Sequence, residues 1–193
     1  MAAESTKATM PSSHEAPAVH QDKSNLPLHL LRHGSGLIGF GLLFGFLVPM
    51  TPYPRLGLTA HIQFAVEGTM VCAAGLILGS KPFTSTFPST PKAAGSASPE
   101  AQTVADRLKP WQVKLVYCGC AGIWVTLMSE VANAWWGTRW VLPIAHHAAG
   151  LAVNSTGPAA VWMERVVAAA HYPFAILLAT VWPVITAALF SSD

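Results

Sequence analysis

The sequence predicts an all-α fold, an integral membrane four-helix bundle, on three observations. Four stretches are long and apolar enough to span. His33 to Pro54 and Val166 to Ser192 carry no Asp, Glu, Lys or Arg, Leu56 to Ser80 carries only Glu67, and Leu115 to Thr138 carries only Glu130. Each meets the roughly 20-residue requirement of a ~30 Å hydrocarbon layer. The composition agrees, with 52% of the 193 residues hydrophobic and 10% charged, against about 25% charged in an ordinary soluble domain. Tryptophans and prolines, which suit a membrane–water boundary, mark the ends of the stretches. A spanning barrel would need ~8 or more alternating segments, and this chain has neither the alternation nor the length.

Taken in order, residues 1–26 are rich in Ser, Ala, Glu, Lys and His with no apolar period, and read as a disordered cytoplasmic tail. Pro27 precedes a first helix at about 28–49, which the prolines from Pro49 to Pro54 terminate. Its Gly41/Gly45 pair, with Gly34, Gly36 and Gly39, suits close helix packing within the bundle or between subunits. The second helix, about 57–80, holds His61 and Glu67. Residues 82–110 are a Pro/Ser/Thr-rich stretch that reads as a disordered cytoplasmic loop. Trp111 stands before the third helix, about 112–137, and Trp135, Trp136 and Trp140 close it. Pro158 opens the fourth, about 158–190, so that 27–193 forms the transmembrane domain.

Lys and Arg set the expected orientation. The tail and long loop hold Lys7, Lys23, Arg32, Lys81, Lys92, Arg107, Lys109 and Lys114, whereas the opposite side holds only Arg55, Arg139 and Arg165. Both termini are therefore expected in the cytoplasm. The first 25 residues have no apolar core, so the first helix is expected to act as the targeting signal, into the endoplasmic reticulum if the cell is eukaryotic. A net charge of +2 is too small and dispersed for nucleic-acid binding.

Ionisable groups inside a span cost roughly 2.5–3.5 kcal/mol each on insertion scales, which marks them as functional candidates. The orientation puts His61 and Glu67, Glu130 and Asn133, and Glu164 at the same non-cytoplasmic depth, where one polar pocket can collect them. Asn133 follows Glu130 by three residues and shares its helical face. From His61 a stripe of small side chains, Ala65, Gly68, Cys72 and Gly75, runs along the second helix. It offers either room for a flat group or a surface for close helix approach.

The remaining motifs are weaker. Cys72, Cys118 and Cys120 lack zinc-finger or thioredoxin spacing and read as small apolar core residues. His146-His147 has no neighbouring cysteine or carboxylate in sequence to make a metal site. Asn154-Ser-Thr is a glycosylation acceptor on the expected non-cytoplasmic side. His171, near Pro173, reads as a structural histidine beside a kink.

Ala60-His61, Glu67-Gly68 six positions on, and Ser129-Glu130-Val131-Ala132-Asn133 late in the third helix together resemble the styrene oxide isomerase and hydroxylaminobenzene mutase family. The resemblance spans residues 30–190 and implies a membrane-embedded trimer holding haem b between subunits through one histidine. The ferric iron would act as a Lewis acid on an epoxide oxygen. By position His61 is the iron ligand, with Ala65 and Gly68 beside the cofactor. Two departures stand out: the isomerases carry asparagine where this chain has Glu67, and their tyrosine beyond the polar segment of the third helix finds Gly137 or a tryptophan here. A carboxylate at position 67 suits a general base.

The expected function is an isomerase rearranging a small hydrophobic substrate delivered through the bilayer, epoxide to carbonyl or aryl hydroxylamine to aminophenol. Glu67 would handle a proton, and Glu130 with Asn133 would complete the polar wall. Two other classes share the same helices. A non-catalytic scaffold would pair Glu67 with Glu130 structurally, and a haem-binding electron carrier would need His171 or His29 as a second axial ligand.

Overall fold

The computed structural model describes residues 16–81, 103–148, 150 and 159–191. The order is α1 (Ala16–Leu47), a 3₁₀ turn (Val48–Met50), α2 (Pro54–Gly79), a 3₁₀ turn (Val104–Arg107), α3 (Pro110–Trp136), α4 (Pro143–Ala148) and α5 (Val161–Phe190). No strand occurs among the described residues. Four helices, α1, α2, α3 and α5, are long and apolar enough to cross a membrane. Trp111, Trp135, Trp140 and Trp162 are exposed near their ends, as interfacial anchors are.

Three boundaries differ from the expectation. The helix begins at Ala16, so residues 16–26 of the expected tail are helical, and Pro27 lies inside α1. Proline removes one intrahelical bond, but Leu26 and Leu30 on either side are buried in the core. Gly75 and Gly79 of α2 leave the room that Pro27 fills. The expected loop 82–110 is structured from Thr103 onward. Val104, Ala105 and Leu108 are buried, Thr103 and Asp106 form a capping box, and Lys23 Nζ donates to the Asp106 carbonyl at 3.2 Å. An apolar turn followed by α3 was hidden there by a Pro/Ser/Thr-rich average. α4 forms within what read as a plain loop, opened by a proline at its first position. Residues 1–15 and 82–102, Asn154 and Pro158 lie outside the described residues.

The helices pack as two pairs, α1 with α2 and α3 with α5, joined mainly through α2 and α3. Small residues set both crossings. A Cβ on Gly34 would stand 2.6 Å from the Gly68 carbonyl and 2.7 Å from the Cys72 nitrogen. At the other crossing, Gly119 and Gly122 receive Val181 and Phe174. Phe64, Leu37, Ile123 and Leu127 fill the core between the pairs. α2 and α5 barely touch. Of the cysteines only Cys120 is fully buried, and Cys118 faces outward, where an apolar thiol is at home against lipid.

Candidate functional site

α2 carries two polar groups on opposite flanks of its packed face. Six residues advance an α-helix by about 9 Å and rotate it by about 240°, so His61 and Glu67 cannot share a face. The single pocket expected to collect every polar residue is therefore divided.

His61 lies in the crossing of α1 and α2. Its Nδ1 is 2.8 Å from the Gly41 carbonyl, and a carbonyl only accepts, so Nδ1 carries the proton and Nε2 keeps its lone pair. Gly45 lets the ring lie against α1, since a Cβ there would stand 2.8 Å from Cε1. The Gly41/Gly45 pair thus serves packing within the bundle. The small-residue stripe does the same. A Cβ on Gly68 would meet the Gly34 carbonyl at 2.9 Å and Ile38 Cγ1 at 2.8 Å, so α1 covers the face on which Gly68 was expected to border a cofactor. Ala65 stays partly exposed beside His61.

The second group joins α2, α3 and α5. The Gln63 carboxamide, oriented by its hydrogen-bonding partners, donates to Glu67 Oε1 at 3.0 Å and to Glu130 Oε1 at 3.3 Å. Glu130 is fully buried, and its Oε1 is also 3.7 Å from His171 Nδ1. Ser129 Oγ lies 3.5 Å from the same nitrogen. Glu67 Oε2 and Glu130 Oε2 are buried without a partner, as is Asn133 Nδ2, while Asn133 Oδ1 accepts from Thr138 Oγ1 at 2.6 Å. The arrangement can exchange protons at two carboxylate oxygens and donate from one amide. Between α3 and α5 lies an apolar groove of about 400 Å³, with Trp124, Met128, Trp136 and Val166 among its lining residues and Ser129 joining it to this cluster.

The structure leaves Glu164 out of the cluster. Its carboxylate accepts the backbone N–H groups of Arg139 at 2.9 Å and Trp140 at 3.0 Å and so ties α5 to the α3–α4 connection. His146 is buried nearby with Nε2 unpartnered. Burial holds its imidazole below the usual range, with Glu164 pulling the other way. No group of three or more metal-ligating side chains occurs among the described residues. Neither histidine expected as a second axial ligand shares space with His61. His171 faces Glu130, and His29 packs edge-on against Tyr117.

Sequence reading missed Gln63 and the inward turn of His171. The available signal for Gln63 was its spacing, four residues before Glu67 and hence one turn away on the same face.

No family model and no solved structure matches this chain. Over 61 residues it is 39% identical to hydroxylaminobenzene mutase HabB of Ectopseudomonas oleovorans. In part, the chain is similar to a mutase. The matched stretch covers 31% of this chain and 37% of that relative, so the chain matches well under half of its length.

Proposed function

We propose that this chain is a membrane-embedded isomerase that rearranges an aryl hydroxylamine to an aminophenol beside the Glu67–Glu130 pair. The observation that carries the reading is the pair Glu67 and Glu130, two carboxylates from different helices held at Oε1 by Gln63, each with Oε2 free of any donor. An epoxide offers those oxygens no hydrogen. A hydroxylamine offers both N–H and O–H. The partial similarity to a hydroxylaminobenzene mutase supports the same choice.

The rearrangement breaks the N–O bond as the hydroxyl oxygen takes a proton and forms a C–O bond between that oxygen and the ring; the oxygen then gives up its extra proton, the ring carbon loses its hydrogen as a proton, and the nitrogen gains one to become an amine. No atom is gained or lost. A carboxyl and a carboxylate side by side can divide this work, one giving the proton and the other receiving one. Glu67 and Glu130 take those roles, and Asn133 Nδ2 is a donor for a substrate oxygen. A small hydrophobic substrate would reach the carboxylate pair from the bilayer, with both termini of the protein cytoplasmic.

His61 fits the haem b that the family resemblance implies. Nδ1 is tied to the Gly41 carbonyl, which fixes the tautomer and leaves Nε2 as the ligand atom. A ferric iron held there would supply a Lewis acid. His61 and the carboxylate pair occupy opposite flanks of α2, so a group on His61 approaches these carboxylates only in an assembly of several copies. The reading therefore includes a homo-oligomer, a trimer by resemblance.

Purified protein should convert phenylhydroxylamine to aminophenol, followed by chromatography, and Glu67→Gln should lower turnover by roughly 10²–10⁴-fold, the range for a general acid–base group. Conversion of an aryl epoxide alone would replace the substrate, and no turnover of either would end the isomerase reading.

A further inference from the structure

We propose that the Thr126 hydroxyl is a substrate-binding group, the third polar atom that α3 offers beside those of Glu130 and Asn133. The proposal rests on the isomerase reading for what the substrate is, and on the partners of each buried polar atom for where the site lies.

Thr126, Glu130 and Asn133 follow one another at intervals of four and three residues. At about 100° per residue they fall within an arc of about 60° on α3 and occupy about 10 Å of its axis. All three are buried, Thr126 at 3% exposure and the other two at 0%. Each keeps one side-chain atom without a partner, Oγ1 of Thr126, Oε2 of Glu130 and Nδ2 of Asn133. Buried polar atoms ordinarily find a partner within the fold, so three orphans on one stripe of one helix point to a polar ligand.

The threonine is the most telling of them, because inside a helix its hydroxyl can turn back to a carbonyl three or four residues earlier. Thr59 does so to Arg55 at 3.1 Å, Thr69 to Ala65 at 2.8 Å and Thr180 to Leu177 at 2.6 Å. Those three stand at more exposed positions. Thr126, the buried one, makes no such bond. Its backbone is nevertheless held, since its carbonyl accepts from Ser129 Oγ and from the His171 imidazole of α5. The peptide is fixed between two helices and the hydroxyl alone is left uncommitted. Oε2 of a carboxylate accepts and Nδ2 of an amide donates, whereas a hydroxyl does both. An aryl hydroxylamine presents N–H, O–H and lone pairs in one small head, and a mixed set of this kind matches it.

Two variants separate binding from folding. Thr126→Val keeps the branched shape and removes the hydroxyl, and Thr126→Ser keeps the hydroxyl and drops a methyl. Because Oγ1 bonds nothing in the fold, Thr126→Val should leave the thermal midpoint in detergent unchanged or raise it. Its KM for phenylhydroxylamine should rise about 3- to 10-fold with kcat held within about twofold, the loss of one uncharged hydrogen bond that serves substrate and transition state alike. Thr126→Ser should keep KM within about twofold. A lowered midpoint in Thr126→Val would show the hydroxyl serving the fold and would overturn the proposal, as would an unchanged KM. Binding of ortho-aminophenol gives a readout without turnover: it should raise the midpoint of the unmodified protein and raise that of Thr126→Val less. If the unmodified protein turns over neither substrate class while this difference is present, the isomerase reading falls and the binding role stands. Equal midpoint shifts, or none in either protein, would overturn the binding role itself.

Discussion

At the residue scale, the two histidines nearest the polar groups illustrate how one hydrogen bond assigns a role. Nδ1 of His61 meets a backbone carbonyl at 2.8 Å, which leaves Nε2 free to bind, whereas Nδ1 of His171 stands 3.7 Å from Glu130 Oε1, beyond hydrogen-bond reach. His61→Ala should leave a folded, membrane-inserted protein that lacks a Soret band, because one axial ligand holds the iron while packing holds the fold. Full haem occupancy in that variant would exclude His61 as the ligand. His146 gives a pH prediction outside the spans. Because burial lowers its proton affinity in the folded protein, the unfolded chain takes up that proton first as pH falls. Its contribution to stability is complete above the ordinary imidazole value of 6.5 and is lost progressively below it. Thermal midpoints in detergent should therefore fall between neutral pH and about pH 5, less steeply in His146→Leu. Parallel slopes for the two proteins would acquit His146.

At the scale of elements, the crossing of α1 and α2 decides what can reach His61. Helices approach this closely in a membrane only where small residues remove the side chains between them. Gly34→Ala would place a methyl 2.6 Å from the Gly68 carbonyl and 2.7 Å from the Cys72 nitrogen, both backbone atoms that cannot move alone. The expected cost is about 1–3 kcal/mol, read from chemical unfolding in mixed micelles. Gly39→Ala is the control, since a Cβ there meets nothing within 4 Å, and it should be neutral. Equal effects would mean that the crossing tolerates separation. The sequence displayed these glycines and the stripe facing them, yet their partners were not legible. A run of small residues suits a helix and a flat ligand equally, and only the neighbouring element decides between them.

For the whole molecule, the separation of His61 from the Glu67–Glu130 pair makes assembly part of the proposed chemistry. Native mass measurement in mild detergent should show a homo-oligomer, a trimer by resemblance, carrying haem; haem-loaded monomers alone would place the cofactor within one bundle and remove the need for assembly. The number of spans, their approximate limits and the presence of ionisable residues within them were determined by the sequence itself. Hydropathy and length act locally, and a bilayer selects on both before any helix meets another. The same local reading failed at Thr103–Leu108, where burial depends on α1 and the end of α5 covering a short apolar turn. Only the tertiary structure decided that α1 fills the stripe below His61, that Gln63 bridges carboxylates 63 residues apart in numbering (67 to 130), and that His171 turns inward to join them. Such contacts follow from which faces pack together. That choice is made by steric fit between helices distant in the chain, and no window of sequence contains it.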